Sequence, residues 1–225
     1  MILPGHCISV KIQFSISTKN TAPEKFSLNL KKIIYVKNKI NFRPIVLISL
    51  LLLAAFSRVI PHPPNFTPIA ALGLFGAAYF SRKWIAIVLP LASLWLSSIV
   101  INNTLYADHY KSFTFFYEGW YWIFGSIALT TVIGFFTLKK ININSVLSSS
   151  VIAAVLFFLI SNYSCFPGNP SYSQDLRGLM DCYIAGIPFF GGTLGGTLFY
   201  SAVLFGGFEL AKYKFPALTQ QHSIS

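Results

Sequence analysis

An arginine, a histidine and an asparagine lie in a stretch that holds four prolines within eight residues, 61–68. They are Arg58, His62 and Asn65, and strongly apolar runs come before and after them. A guanidinium pairs with an anionic ligand or an acidic side chain, an imidazole can ligate a metal, and an amide donates and accepts hydrogen bonds. Proline cannot continue a helix, so the stretch predicts a stiff corner between two helices. This corner is a candidate part of a binding site.

Each of these residues also has a purely structural interpretation. Arg58 can be an interfacial anchor whose charge reaches the lipid headgroups. His62 and His109 could bind a metal together, but their spacing does not require it, and an interfacial hydrogen-bonding role is the alternative. Asn65 resembles an N-terminal cap for the helix that follows, with Pro68 in the first turn, although a helix N-terminus also favours an anion.

Polar side chains also collect where two later apolar runs end. Polar groups that converge over an apolar cavity are typical of a small-molecule pocket, whereas hydrogen bonds between helices are the alternative explanation. These polar ends are Ser97, Ser98, Asn102, Asn103, Asn162 and Tyr163. We predict that the residues lining or gating a ligand site are Arg58, His62, Asn65, Asn162 and Tyr183.

The composition indicates a polytopic membrane protein. The 225 residues are 54% hydrophobic and 10% charged, whereas soluble domains carry roughly 25% charged residues. We predict an all-α bundle of about six transmembrane helices. The apolar runs cover approximately 44–60, 66–80, 84–101, 113–138, 146–163 and 182–211. A membrane-spanning helix needs about 20 residues, so the short second run is tilted, partly re-entrant or packed inside the bundle. The long sixth run bends or begins outside the membrane.

The positive charge is distributed unevenly along the chain. Of the 17 lysines and arginines, 14 fall in the N-terminal segment and in alternate loops on one side of the predicted bundle. The positive-inside rule places that side in the cytoplasm, with both termini. The predicted location is the plasma membrane. The net charge of +11 is therefore explained by orientation in the lipid bilayer rather than by nucleic-acid binding. The outer loops are 61–65, 102–118 and 166–181.

The chain divides into three predicted regions. Residues 1–43 form a basic, polar tail, predicted to be disordered and cytoplasmic, or else an upstream extension from a misplaced start codon. Residues 44–212 form the transmembrane domain, and residues 213–225 form a short cytoplasmic tail. Cys165 and Cys182 bracket one outer loop, where they either pair as a disulfide or are ordinary small apolar residues.

Small residues at helical spacing predict close helix packing, within the bundle or against a partner. No Walker A sequence, HExxH motif, paired-carboxylate signature or Ser/His/Asp arrangement occurs in the chain. We therefore predict a protein that is not an enzyme and needs no cofactor, and we read no metal site from the sequence. The predicted packing residues are Gly73, Ala77, Gly191, Gly192, Gly195 and Gly196.

Two motifs resemble those of an uncharacterised family of small bacterial integral-membrane proteins with six spans. The first is R-x-x-P-H-P-P-N-F-T-P at 58–68, and the second is C-Y-x-A-x-I-P-F-F at 182–190. The resemblance covers approximately residues 44–212. The chain departs from the family pattern where Ser97 and Ser98 replace an acid, and where glycines at 191, 192 and 196 with Thr197 replace charged positions.

The layout implied by this resemblance is similar to that of the S components of energy-coupling factor (ECF) transporters. These proteins bind vitamins or metal ions from outside and dock onto a shared membrane module with ATPases. By this resemblance, the function is binding of a small solute for uptake. The alternatives are a structural or assembly protein that packs through its glycine-rich helix faces, and a membrane-embedded enzyme, for which the chain offers little catalytic material.

Cysteine labelling tests the predicted orientation. In a variant without native cysteines, Arg82→Cys should react with a membrane-impermeant maleimide only after the cells are permeabilised, because Arg82 lies in a predicted cytoplasmic loop. Ser171→Cys, in a predicted outer loop, is the matched control and should react in intact cells. Labelling at position 82 from outside would contradict this orientation.

Overall fold

A computed structural model describes residues 42–110 and 112–219. In this part of the chain there are seven α-helices, two short 3-10 helices and no β-strand. Five of the helices are long and apolar enough to cross a membrane, which indicates a membrane protein in contact with lipid. The α-helices are α1 (Phe42–Phe56), α2 (Ile69–Tyr79), α3 (Lys83–Thr104), α4 (Ala107–Tyr110), α5 (Trp120–Thr137), α6 (Ile143–Tyr163) and α7 (Leu176–Lys214).

The short helix α2 lies inside the bundle. Nine of its eleven residues are buried, and it contacts α1, α3, α5, α6 and α7. In the five spanning candidates, by contrast, only 22–39% of the apolar window is buried. Their outward side chains, such as Leu53 at 70% exposure and Phe136 at 69%, are suited to lipid. Of the alternatives for the short second run, the structure therefore shows packing inside the bundle.

Small residues allow α2 to fit between its neighbours. A Cβ atom on Gly76 would lie 2.5 Å from the carbonyl oxygen of Ala86 in α3. A Cβ on Gly134 of α5 would lie 2.6 Å from the Cβ of Ala77, and one on Gly73 would lie 3.0 Å from the α5 backbone. The contacts at Gly76 and Gly134 are too short for a methyl group, and the contact at Gly73 is tight. The sequence of α2 and its neighbours is therefore matched to close packing.

Polar contacts hold the helix ends together where α1 begins, which we call the Arg43 end. Arg43 donates to the carbonyl oxygens of Leu218, at 3.1 Å, and Tyr79, at 3.4 Å. The hydroxyl of Tyr79 donates to Glu209 at 2.6 Å, and Glu209 forms an ion pair with Lys212 at 2.7 Å. These bonds join α1, α2, α7 and the C-terminal 3-10 turn.

At the opposite end of α1, which we call the Arg58 end, the chain turns through the proline-rich corner. The helix closes in a 3-10 turn over Ser57–Val59, and α2 begins at Ile69. The interpretation of Asn65 as the helix cap is wrong, because Pro68 occupies the N-cap position and no side chain caps the helix. Asn65 instead has a positive φ of 59°, a left-handed conformation that asparagine tolerates better than most residues.

This corner rests on glycines of α7. A Cβ on Gly196 would lie 2.7 Å from the backbone nitrogen of Thr67, and a Cβ on Gly192 would overlap the carbonyl oxygen of Pro64. Two other glycines predicted to pack are placed differently. A Cβ on Gly195 would make ordinary contact with the Phe66 ring at 3.6 Å, and one on Gly191 would meet no atom within 4 Å.

Two helices begin at positions that differ from the hydropathy pattern. The fourth apolar run was expected to start near 113, but α5 starts at Trp120 because Gly119 has a left-handed φ of 74°, which a right-handed helix cannot include. The sixth was expected near 182, but α7 starts at Leu176, where the side chain of Asp175 accepts from the Gly178 N–H at 2.9 Å. Its 39 residues extend about 58 Å, nearly twice the thickness of the hydrocarbon core.

The corner contact predicts a difference between two glycines of α7. Gly196→Ala should destabilise the protein by about 1–3 kcal/mol, because the new methyl group meets backbone atoms that cannot rotate away. Gly206→Ala is the matched control, since a Cβ there meets nothing within 4 Å, and its stability should be unchanged or slightly higher. Thermal unfolding in detergent measures both, and equal melting temperatures for the two variants would contradict the packing described.

Candidate ligand-binding cavity at the Arg58 end

An open cavity of about 860 Å³ lies at the Arg58 end. Its walls come from the proline-rich corner, the adjacent parts of α3, α5, α6 and α7, and the segments that connect these helices. Ligand cavities in proteins are typically about 300–1,000 Å³. The lining residues are Arg58, Asn65, Thr67, Ile69, Ile101, Asn102, Tyr106, His109, Tyr110, Tyr117, Ile123, Phe157, Ser161, Asn162, Ser164, Cys165, Tyr172, Cys182, Ala185, Gly186 and Phe189.

Arg58 is held in the wall of this cavity by two serines of α3. Its Nη1 donates to the hydroxyl oxygens of Ser97 and Ser98, both at 3.1 Å. These serines are buried, with 0% and 2% exposure, and Ser97 donates in turn to the carbonyl oxygen of Leu94. The guanidinium is therefore fixed in position by neutral groups. Within the described residues no acidic side chain pairs with it.

Two asparagines from different helices line the cavity. Asn102 of α3 is 6% exposed, and its Nδ2 is buried without a hydrogen-bond partner among the described residues. Asn162 of α6 donates from Nδ2 to the carbonyl oxygen of Phe158 at 2.8 Å and packs against Gly186 of α7. A buried amide N–H without an acceptor is costly, so Asn102 leaves an unmet donor at the cavity.

The segment between α4 and α5 brings Tyr117 to the cavity. Its path is fixed by Asn103, which donates to the Thr114 carbonyl oxygen at 3.0 Å and accepts from the Thr114 N–H at 2.7 Å. Burial raises the pKa of Tyr117 to about 12, although the nearby Arg58 acts in the opposite direction. The phenol is therefore protonated at neutral pH and available as a hydrogen-bond donor.

The structure brings three of the five predicted ligand residues together. Arg58, Asn65 and Asn162 line the cavity. His62 is exposed, with its Nδ1 3.0 Å from the Pro63 carbonyl oxygen, and is not part of the cavity wall. Tyr183 donates to the Leu159 carbonyl oxygen at 2.8 Å and is also outside the wall.

The histidines and cysteines were candidates for other chemistry. His109 lines the cavity and His62 does not, and no group of three or more His, Cys, Asp or Glu side chains suited to a metal occurs within the described residues. Cys165 and Cys182 are free thiols in this structure, the first exposed and the second buried. The buried thiol donates to the Asn162 carbonyl oxygen at 3.4 Å.

Sequence reasoning did not select four tyrosines of the cavity wall: Tyr106, Tyr110, Tyr117 and Tyr172. Tyr117 was placed in the aromatic start of the predicted span at 113–138, and the other three fall in predicted outer loops. Gly119 carried the available signal, because a glycine inside an apolar run can mark a break, and here it separates the loop from α5.

Comparison with known proteins places the chain in a family. A family model described as a family of unknown function (DUF6580) matches residues 38–218. The chain belongs to this family. The matched region includes the seven described helices and the residues that line the cavity. A search of curated proteins and a search of solved structures each found no match.

The raised pKa of Tyr117 predicts a pH effect on the stability of this DUF6580 protein. An unfolded tyrosine has a pKa of about 10, so the stabilisation due to the buried neutral phenol is complete below pH 10 and is lost as the pH rises through 12. Tyr117→Phe lacks this ionisation. Wild type should therefore lose about 2 kcal/mol more stability than Tyr117→Phe between pH 10 and 12, measured by chemical unfolding. Parallel pH curves for the two proteins would contradict the burial of this hydroxyl.

Proposed function

We propose that this protein binds a small solute in the cavity at the Arg58 end. The observation that carries the proposal is the convergence of Arg58, Asn65, Asn102 and Asn162 on one cavity of about 860 Å³. They come from the corner, α3 and α6, which are distant in sequence. Mostly apolar walls with a few fixed polar groups are typical of small-molecule sites.

The cavity opens to the outer side of the plasma membrane in this proposal. Basic residues support the assignment, because the ends of α2, α5 and α7 that lie away from the cavity are followed or flanked by them. The positive-inside rule then puts the Arg43 end, and both chain termini, in the cytoplasm. These basic residues are Arg82, Lys83, Lys139, Lys140, Lys212 and Lys214.

The role that fits an outward binding site is capture for uptake, as in an ECF S component. The chain contains no Walker A sequence, so a separate membrane module with ATPases would have to supply the energy. No reaction is proposed for the cavity, and the protein acts in this scheme as a binding subunit rather than an enzyme.

One observation favours the alternative role in membrane assembly. Gly191, Gly206 and Gly207 of α7 have open space where a side chain would be, whereas Gly192 and Gly196 are used inside the bundle. Open glycines on an exposed helix surface permit close approach of another helix. If this role is the correct one, a cysteine crosslinker at position 206 should capture one discrete membrane partner, and changes in the cavity should have no effect.

A matched pair of α7 variants tests solute binding. Ala185 lines the cavity, and Ala202 is exposed on the same helix outside it. The full chain in phosphatidylcholine nanodiscs should be stabilised by at least one member of a library of anionic, neutral and cationic metabolites. Ala185→Trp should weaken that stabilisation at least about tenfold by filling the cavity, whereas Ala202→Trp should leave it unchanged.

The library must include vitamins and divalent metal ions, which are the ligands implied by the likeness to S components. No stabilisation by any member, or equal loss in both tryptophan variants, would contradict the proposed function.

A further inference from the structure

The cavity holds a positive charge that has no acidic partner among the described residues. Arg58 lines it, and none of the lining side chains is an aspartate or a glutamate. Asp108, Glu118 and Asp181 adjoin lining residues in sequence but are exposed and are not in the wall, and Glu209 is paired with Lys212 at the Arg43 end. A cation near the hydrocarbon region without a partner is unfavourable, and an anion bound beside it would remove that cost.

The hydrogen bonds of Arg58 leave a specific part of the guanidinium available. Both bonds to protein, to Ser97 and Ser98, use Nη1. Nε–H and Nη2–H therefore have no partner among the described residues. These two parallel N–H groups match the two oxygens of a carboxylate, and such paired, charge-assisted bonds are among the strongest in proteins.

Neutral groups around the arginine suit the rest of an anionic organic molecule. Tyr106 and Tyr117 are near enough to Arg58 to interact with its charge, and the protonated Tyr117 hydroxyl can donate. The unpartnered Nδ2 of Asn102 is a second donor. Donors without matching acidic acceptors favour a ligand rich in hydrogen-bond acceptors.

The other walls are apolar. Ile101, Ile123, Phe157 and Phe189 line the cavity as well. A simple inorganic anion would leave these apolar side chains in contact with water, because it would fill only a small part of the cavity of about 860 Å³. An apolar body attached to the anionic group would displace that water favourably.

We propose that the solute is an organic carboxylate with an apolar body, and that Nε–H and Nη2–H of Arg58 bind its two carboxylate oxygens. This inference rests on the proposed function and specifies its ligand class. The serine pair acts as a positioning device, since it fixes Nη1 and so sets the direction of the other two N–H groups.

A charge series on the wild-type protein tests the inference without any variant. The full chain in phosphatidylcholine nanodiscs is titrated with 4-phenylbutyrate, 4-phenylbutyramide and 4-phenylbutylamine, which share one body and differ in charge. Thermal stabilisation is the readout. We expect 4-phenylbutyrate to bind at least about tenfold more tightly than the amide, with no stabilisation by the amine.

Variants locate the carboxylate. Arg58→Lys keeps the charge but lacks the paired N–H groups, and Arg58→Gln removes the charge. We expect binding of 4-phenylbutyrate to weaken about 10- to 100-fold in both, so that its preference over the amide is lost. His62→Gln is the matched control, because His62 belongs to the same corner and lies outside the cavity wall, and it should bind as wild type does.

Two further arms distinguish other sources of negative charge. Sodium phosphate tests an inorganic anion, and nanodiscs with phosphatidylglycerol test a lipid headgroup. Arg58-dependent stabilisation by either of these, with none by 4-phenylbutyrate, would overturn the proposal of an organic carboxylate.

The outcomes separate this inference from the proposed function. Equal binding of the amide or the amine would overturn the carboxylate assignment while solute binding stands. Failure of the charge series together with the whole metabolite library would overturn both.

Discussion

Each of the five spanning candidates packs against the short helix α2. Its contacts at Gly73, Gly76 and Ala77 are close, and small residues make them possible. A helix of 11 residues extends only about 17 Å, less than the thickness of the hydrocarbon core. The proline-rich corner precedes it, and at its other end the backbone of Tyr79 is held by Arg43.

The proline-rich corner also forms part of the cavity. It makes its own turns, with hydrogen bonds from the Phe66 N–H to Pro63 and from the Thr67 N–H to Asn65, and its backbone packs on Gly192 and Gly196 of α7. Arg58 precedes it and is fixed by serines of α3. Packing of the corner and the geometry of the proposed ligand site are therefore linked. A substitution at the α7 glycines is expected to alter both.

The hydropathy pattern predicted the helical class and six apolar segments, five of which form helices long and apolar enough to cross a membrane. The second segment instead forms the short, buried helix α2. The hydropathy pattern misplaced the starts of α5 and α7. A left-handed glycine sets the first residue of α5, and a capping aspartate sets that of α7. Asn65 was assigned to a helix cap that the structure forms three residues later. Where a helix begins and which residue caps it depend on backbone dihedral angles, which cannot be read from the hydropathy of the residues.

The candidate site was predictable only in part, for a related reason. Arg58, Asn65 and Asn162 were recognisable as polar residues at the ends of apolar runs, and all three line the cavity. Tyr183 was not distinguishable from them by sequence, yet its hydroxyl is engaged by α6. Whether a polar side chain at a helix end points to a cavity or to a neighbouring backbone depends on helix rotation, which a single sequence does not define.

The proposed solute site opens to the outer side of the membrane. Cys165 reports on it directly, because it is exposed and lines the cavity. In a protein with Cys7→Ser and Cys182→Ser, the measurement is the rate at which a membrane-impermeant maleimide labels Cys165 in intact cells, with and without 4-phenylbutyrate. We expect labelling from outside, at a rate that the carboxylate lowers. Labelling only after permeabilisation, or a rate that no solute changes, would rule out an outward-facing solute site.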